Sequence, residues 1–135
     1  MLFLMFEKYD NKRPDHICDQ MTLDEFRLKM VSYWHSVDDE AKSLKDPHIA
    51  LEKLRILYKK FDDAERLMAD KVLSEWVLSE DETMRFDALA LIDDLKIRTG
   101  APALHLLATR LTSSDVPSAP YELNKVLRII SSLAA

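Results

Sequence analysis

From residue 22 onward, apolar side chains recur at three- and four-residue steps, the period that lines them along one face of an α-helix. Leu23, Phe26, Met30, Tyr33, Trp34 and Val37 form the first series. Thr22-Leu23-Asp24-Glu25 ahead of it fits a capping box, in which hydroxyl and carboxylate satisfy two otherwise unpaired backbone donors. The polar run 36–45 is expected to end this helix. Asp46-Pro47 then supplies an N-cap followed by proline at the first helical position, where its missing donor costs nothing, and Leu51, Leu54, Leu57, Tyr58 and Phe61 mark the buried face. Asp62 and Asp63 open a third helix carrying Ala64, Leu67, Met68, Val72, Trp76 and Val77. Ser79-Glu80-Asp81-Glu82 reads as a second capping box, for a fourth helix with Phe86, Leu89, Ala90, Ile92 and Leu95. Its ALALI segment (88–92) is apolar enough to predict burial on more than one side. Gly100 sits in the break that follows, and Pro102 opens a fifth helix with Leu104, Leu107, Ala108 and Leu111. After a polar loop, Ser118 and Pro120 start a last helix bearing Leu123, Val126, Leu127, Ile130 and Leu133.

Six helices with short connections imply neighbours that run as antiparallel hairpins, hence an all-α fold, with a compact bundle and a short solenoid both open. The chain has 135 residues, the usual size of one domain, read as an irregular N-terminal helical half (1–61) and helical hairpins over 62–135. A single glycine argues against turn-rich β-sheet and against phosphate-cradling loops. One cysteine, Cys18, allows neither an intramolecular disulfide nor a multi-cysteine zinc site, which fits a reducing, cytoplasmic setting. Met1 to Phe6 are apolar but followed at once by Glu7 and Lys8, too short a run for a signal peptide, and no later run approaches the length of a membrane helix.

Asp81-Glu82-Thr83-Met84-Arg85-Phe86-Asp87-Ala88-Leu89-Ala90-Leu91-Ile92, followed by the proline-opened, leucine-rich run 100–111, resembles a HEAT repeat. Residues 115–133, with Ala119, look like part of a next repeat, whereas Trp34, Trp76 and several tyrosines depart from the pattern earlier in the chain. The run EWVLSEDETMRFDALALIDDLKI (75–97), with the SAPYELNKV helix start (118–126), is also similar to small bacterial immunity proteins with HEAT-like helices. That resemblance implies an antitoxin-like, non-catalytic protein that binds the toxin domain of a contact-dependent growth-inhibition system and occludes its active site. A HEAT-like scaffold or regulatory adaptor is the alternative.

Charge enters the same picture. The formal net charge is −5, but residues 62–94 hold eleven acids against three bases, a local net of −8 that leaves the rest at +3. Such a field favours encounter with a basic protein, a nuclease toxin domain being one, and disfavours nucleic acid as a partner. Glu80, Asp87 and Asp94, at seven-residue spacing, are expected to form an acidic stripe on the fourth helix. Asp62, Asp63, Tyr121 and Glu122 complete the candidate partner-binding set, Tyr121 because it precedes the buried stripe of its helix. Asp15, His16, Cys18 and Asp19 cluster but read as an ordinary loop, and His35, His48 and His105 lack metal-ligand spacing. Neither a reaction signature nor a cofactor motif is found, so no enzyme activity, metal or cofactor is expected.

Overall fold

The computed structural model of the chain describes residues 21–135. The apolar N-terminal run and the cluster around His16 and Cys18 lie outside the described residues. Among those described there are six α-helices and no strand: α1 Leu23–Leu44, α2 His48–Lys60, α3 Asp63–Val77, α4 Glu82–Leu95, α5 Ala101–Thr112 and α6 Ala119–Ala134, with a 3₁₀ turn at Arg98–Gly100. The fold is all-α and built of antiparallel pairs. No helix among the described residues is long and apolar enough to cross a membrane. The chain divides into two units, Met1–Ala69 and Asp70–Ala135, with the division falling inside α3.

In the first unit the capping box forms as the pattern predicts. Thr22 Oγ1 accepts from the Glu25 N–H at 3.1 Å, and Glu25 Oε1 accepts from the Thr22 N–H at 3.0 Å. The backbone N–H of Thr22, and then its hydroxyl, hold the Glu25 carboxyl below its ordinary value. The polar run 36–45, expected to end the helix, is helical as far as Leu44, because Val37, Asp38 and Ala41 keep the buried stripe going beneath exposed neighbours. Buried Asp38 is paired with Lys42 Nζ at 2.9 Å. Lys45 ends α1 in the left-handed region (φ 55°), and the N–H of Asp46 reaches back to the Ala41 carbonyl at 2.9 Å, as in a Schellman turn.

α2 starts one residue later than expected, with Pro47 rather than Asp46 at the N-cap position, although the Asp46 carboxylate still accepts from the His48 N–H at 3.1 Å. The helix packs against α1 with Lys53 Nζ 2.5 Å from Glu40 Oε1. Between these helices the core combines Met30, Val37, Leu54 and Leu57 with four aromatic rings. Phe26, Tyr33, Trp34 and Phe61 are buried, and the rings of Phe26 and Phe61 lie 5.1 Å apart. Burial, with the Glu40 charge behind it, pushes the Tyr33 phenol above its ordinary range. Asp62 and Glu65 form a further reciprocal cap, each carboxylate accepting the other's N–H at 2.8 Å, which fixes the start of α3. Along α3 the expected stripe is out of phase: Ala64 and Leu67 are exposed, and Ala69 and Leu73 take their place inside with Val72, Trp76 and Val77.

In the second unit the core, apart from Trp76, is aliphatic. Ala88, Leu89, Leu91 and Ile92 are all buried, so α4 is covered on more than one side as its ALALI segment predicts. α5, with Ala103, Leu104 and Leu107 buried, packs against α6, whose buried positions are Ala119, Val126, Ile129 and Leu133. Leu127, expected inside, is half-exposed because the core-facing row advances from 126 to 129. Gly100 lies close against α4: a Cβ there would stand 2.9 Å from Ile92 Cδ1.

Three contacts far apart in sequence, at the starts and ends of α4 and α6, define their alignment. Arg85 meets Glu122 near both N-termini, while beyond α4 Lys96 donates to Ser132 and Arg98 Nε donates to the Leu133 carbonyl at 3.1 Å near the end of α6. Start meets start and end meets end, so α4 and α6 run parallel, with α5 returning between them in the chain.

Candidate binding site at the starts of α4 and α6

The parallel alignment brings two helix beginnings together. Asp81, not Ser79, is the N-cap of α4: its carboxylate accepts from the Met84 N–H at 3.1 Å, while Ser79 Oγ accepts from the Asp81 N–H at 3.0 Å. The predicted capping box is thus displaced by two residues, since Asp81 is itself a strong cap placed directly before Glu82. On the other side, Pro120 falls in the first turn of α6, where a missing N–H is harmless.

Arg85 clamps the two helices. Its Nε donates to Glu122 Oε2 at 2.5 Å, Nη2 to Oε1 at 3.1 Å and Nη1 to the Ser79 carbonyl at 3.0 Å. This is a two-pronged charge-assisted pair, with side-chain exposures of only 16% and 17%. The Glu122 hydrogen bonds, outweighing burial, hold the Arg85 guanidinium above its already high ordinary value.

Beside the clamp opens a cleft of about 340 Å³ lined by Glu82, Thr83, Phe86, Leu89, Ser118, Tyr121, Glu122 and Lys125. Phe86 is 47% exposed and Tyr121 80% exposed. Lys125 Nζ lies 3.9 Å from the centre of the Phe86 ring, a cation–π contact. Burial first, and then the neighbouring Arg128 charge, lower the Lys125 pKa, against the opposing pull of Glu122 and Asp93. The cleft therefore offers two aromatic faces, one carboxylate already bound by arginine and a second, Glu82, on its exposed edge.

The expected acidic stripe is not formed. Glu80 is exposed but precedes α4, Asp87 is buried, and Asp94 is exposed in the last turn. Seven-residue spacing aligns side chains only where all three residues are helical, and α4 begins at Glu82. The exposed acids instead gather in the turn at Glu80, Asp81 and Glu82. Asp62 and Asp63 are exposed at the start of α3, in the first unit, with Asp62 serving as its cap. Tyr121 is exposed as its place ahead of the stripe predicts. Glu122 lines the same cleft but is held by Arg85.

Two residues of the cleft were not legible as such. Phe86 sits one helical step before Leu89 and so passes for core, and Lys125 carries no motif. The one signal was the four-residue step from Tyr121 to Lys125, which puts both on one face of α6. Among the described residues no group of three or more His, Cys, Asp or Glu side chains converges as a metal site would. Compared with known proteins, the chain matches no family model, no curated relative and no solved structure.

Proposed function

We propose that this chain is a non-catalytic protein-binding module that engages a basic protein through the cleft at the starts of α4 and α6, acting as an immunity protein toward a toxin domain. The observation that carries this reading is the pair of exposed aromatic residues, Phe86 and Tyr121, in one cleft beside the exposed acids Glu80, Asp81 and Glu82. Exposed aromatics framed by charge are the composition of interface anchors, whose large apolar area becomes useful when a partner excludes water. The acidic excess over residues 62–94 supports a basic partner by steering encounter. The HEAT-like pattern over residues 81–133 agrees with the parallel alignment of α4 and α6, the relation that successive repeats would give. That alignment equally favours the second reading, a HEAT-like scaffold or adaptor.

Copurification of the full chain with the products of its native operon, followed by mass spectrometry, tests the proposal. The expected result is a basic protein at a one-to-one ratio whose expression alone arrests growth and whose coexpression with this chain does not. A harmless partner supports the adaptor, and an acidic partner or none at stoichiometric ratio rejects the proposal.

A further inference from the structure

The cleft already holds a cation of its own, and this suggests what a partner would place there. Lys125 Nζ covers the Phe86 ring at 3.9 Å. That contact joins a strongly hydrated ammonium to a ring face inside a partly buried cleft, a pairing whose gain is offset by lost hydration. A guanidinium is more weakly hydrated and planar, so it stacks on aromatic faces with a smaller desolvation cost and can still donate sideways to a carboxylate. Both requirements meet here: Phe86 and Tyr121 present rings, and Glu82 stands exposed on the same wall, continuous with exposed Glu80 and Asp81. The opposite occupant, an anion, would meet Glu82 in the lining, with exposed Glu80 and Asp81 next to it in the chain. The Arg85 guanidinium is spoken for by Glu122 and the Ser79 carbonyl, which leaves Lys125 as the cation lining the cleft that a ligand can displace.

We infer that the α4/α6 cleft is an arginine-binding site, in which a partner's guanidinium displaces Lys125 from the face of Phe86 and pairs with Glu82. The inference rests on the protein-binding reading above and names the chemistry of the inserted side chain. Lys125 is then a placeholder: it covers Phe86 in the free protein and is released outward when the partner arrives.

The test uses N-acetylarginine amide and its uncharged isostere N-acetylcitrulline amide, titrated into the full chain while the ring protons of Phe86 and Tyr121 and the side-chain methylenes of Lys125 are followed by NMR. The arginine probe should move all three saturably, with the Lys125 methylenes leaving their ring-shifted positions, and the citrulline probe should not. Lys125→Met, which removes the competing cation, should tighten arginine binding about two- to fivefold, and Phe86→Leu should weaken it by a similar factor, the range expected for one exposed cation–π contact. Methyl resonances of buried Leu104 and Ile92 report whether each variant stays folded. Equal binding of the citrulline probe, unchanged or weaker arginine binding by Lys125→Met, or a stronger response to inorganic phosphate would each overturn the inference. Because the probe is a small molecule, the result is separate from copurification: arginine binding without a protein partner would reject the functional reading alone, and a basic partner without arginine binding would reject the placeholder alone.

Discussion

Among the described residues, the aromatic side chains of the first unit are mostly buried, and two of the three in the second are exposed. In the first, Phe26, Tyr33, Trp34 and Phe61 are inside, and the α1/α2 pair is built around them. In the second, apart from Trp76, the core is alanine, leucine, isoleucine and valine, and the remaining aromatics, Phe86 and Tyr121, are outside. Aliphatic packing allows α4, α5 and α6 to close without large rings, while the Arg85–Glu122 pair and the Lys96 and Arg98 contacts set the helix alignment. Phe86 and Tyr121 add little to that aliphatic core, and the proposed interface is built on them. The same residue type is therefore mostly part of the core in the first unit and, Trp76 apart, exposed in the second.

The contrast is sharpest at Trp34 and Tyr121. Trp34→Ala should cost about 3–5 kcal/mol in chemical denaturation, and Leu104→Ala, from the aliphatic core, about 2–5 kcal/mol. Tyr121→Ala should stay within about 0.5 kcal/mol of the parent, as substitutions at exposed positions do. A loss at Tyr121 comparable with that at Trp34 would break the comparison.

Next in size is the clamp. Arg85→Met and Glu122→Gln should each cost about 1–3 kcal/mol, because either leaves a mostly buried charged or polar group short of its partner. The double variant should cost less than their sum, and a double-mutant cycle measures that coupling. Additive losses would mean that the pair does not hold α4 to α6.

The smallest effect expected is a gain. Lys45 occupies the left-handed region at the end of α1, a conformation that glycine adopts without its side-chain clash. Lys45→Gly should stabilise the fold by up to about 1 kcal/mol, seen as a raised melting temperature. A lowered melting temperature would show that the Lys45 side chain contributes more than its backbone strain removes.

That lysine also explains why helix beginnings were easier to read than helix ends. Thr22 with Glu25, Asp46, Pro102 and Pro120 announce starts because the capping group or the proline is written in the sequence itself. The ends of α1 and α4 fall at Lys45 and Lys96, both left-handed without glycine, so no residue type marks them and a polar but helical run passes for a terminus. Stripe phase was legible where a series is long, as from Phe26 to Val37, and slipped at Leu67 and Leu127, where apolar residues stand next to the row that turns inward. The candidate site was half-visible. Tyr121 could be picked out from its place in α6, but the partnership of Phe86 with Lys125 spans 39 positions and depends on the parallel alignment of two helices, which no local pattern encodes. Asp87 failed as a surface acid for the same reason: spacing places it on a face, and only packing decides whether that face is covered.

The proposed interface depends on Tyr121 as its anchor. The direct measurement is calorimetric titration of the copurified basic partner into the parent and into Tyr121→Ala, with thermal melts of both. An anchor in a water-excluding contact is worth about 2 kcal/mol or more, so the predicted result is an affinity loss of roughly 30-fold or greater with an unchanged melt. Equal affinity from an equally stable variant would contradict the account and move the interface away from the starts of α4 and α6.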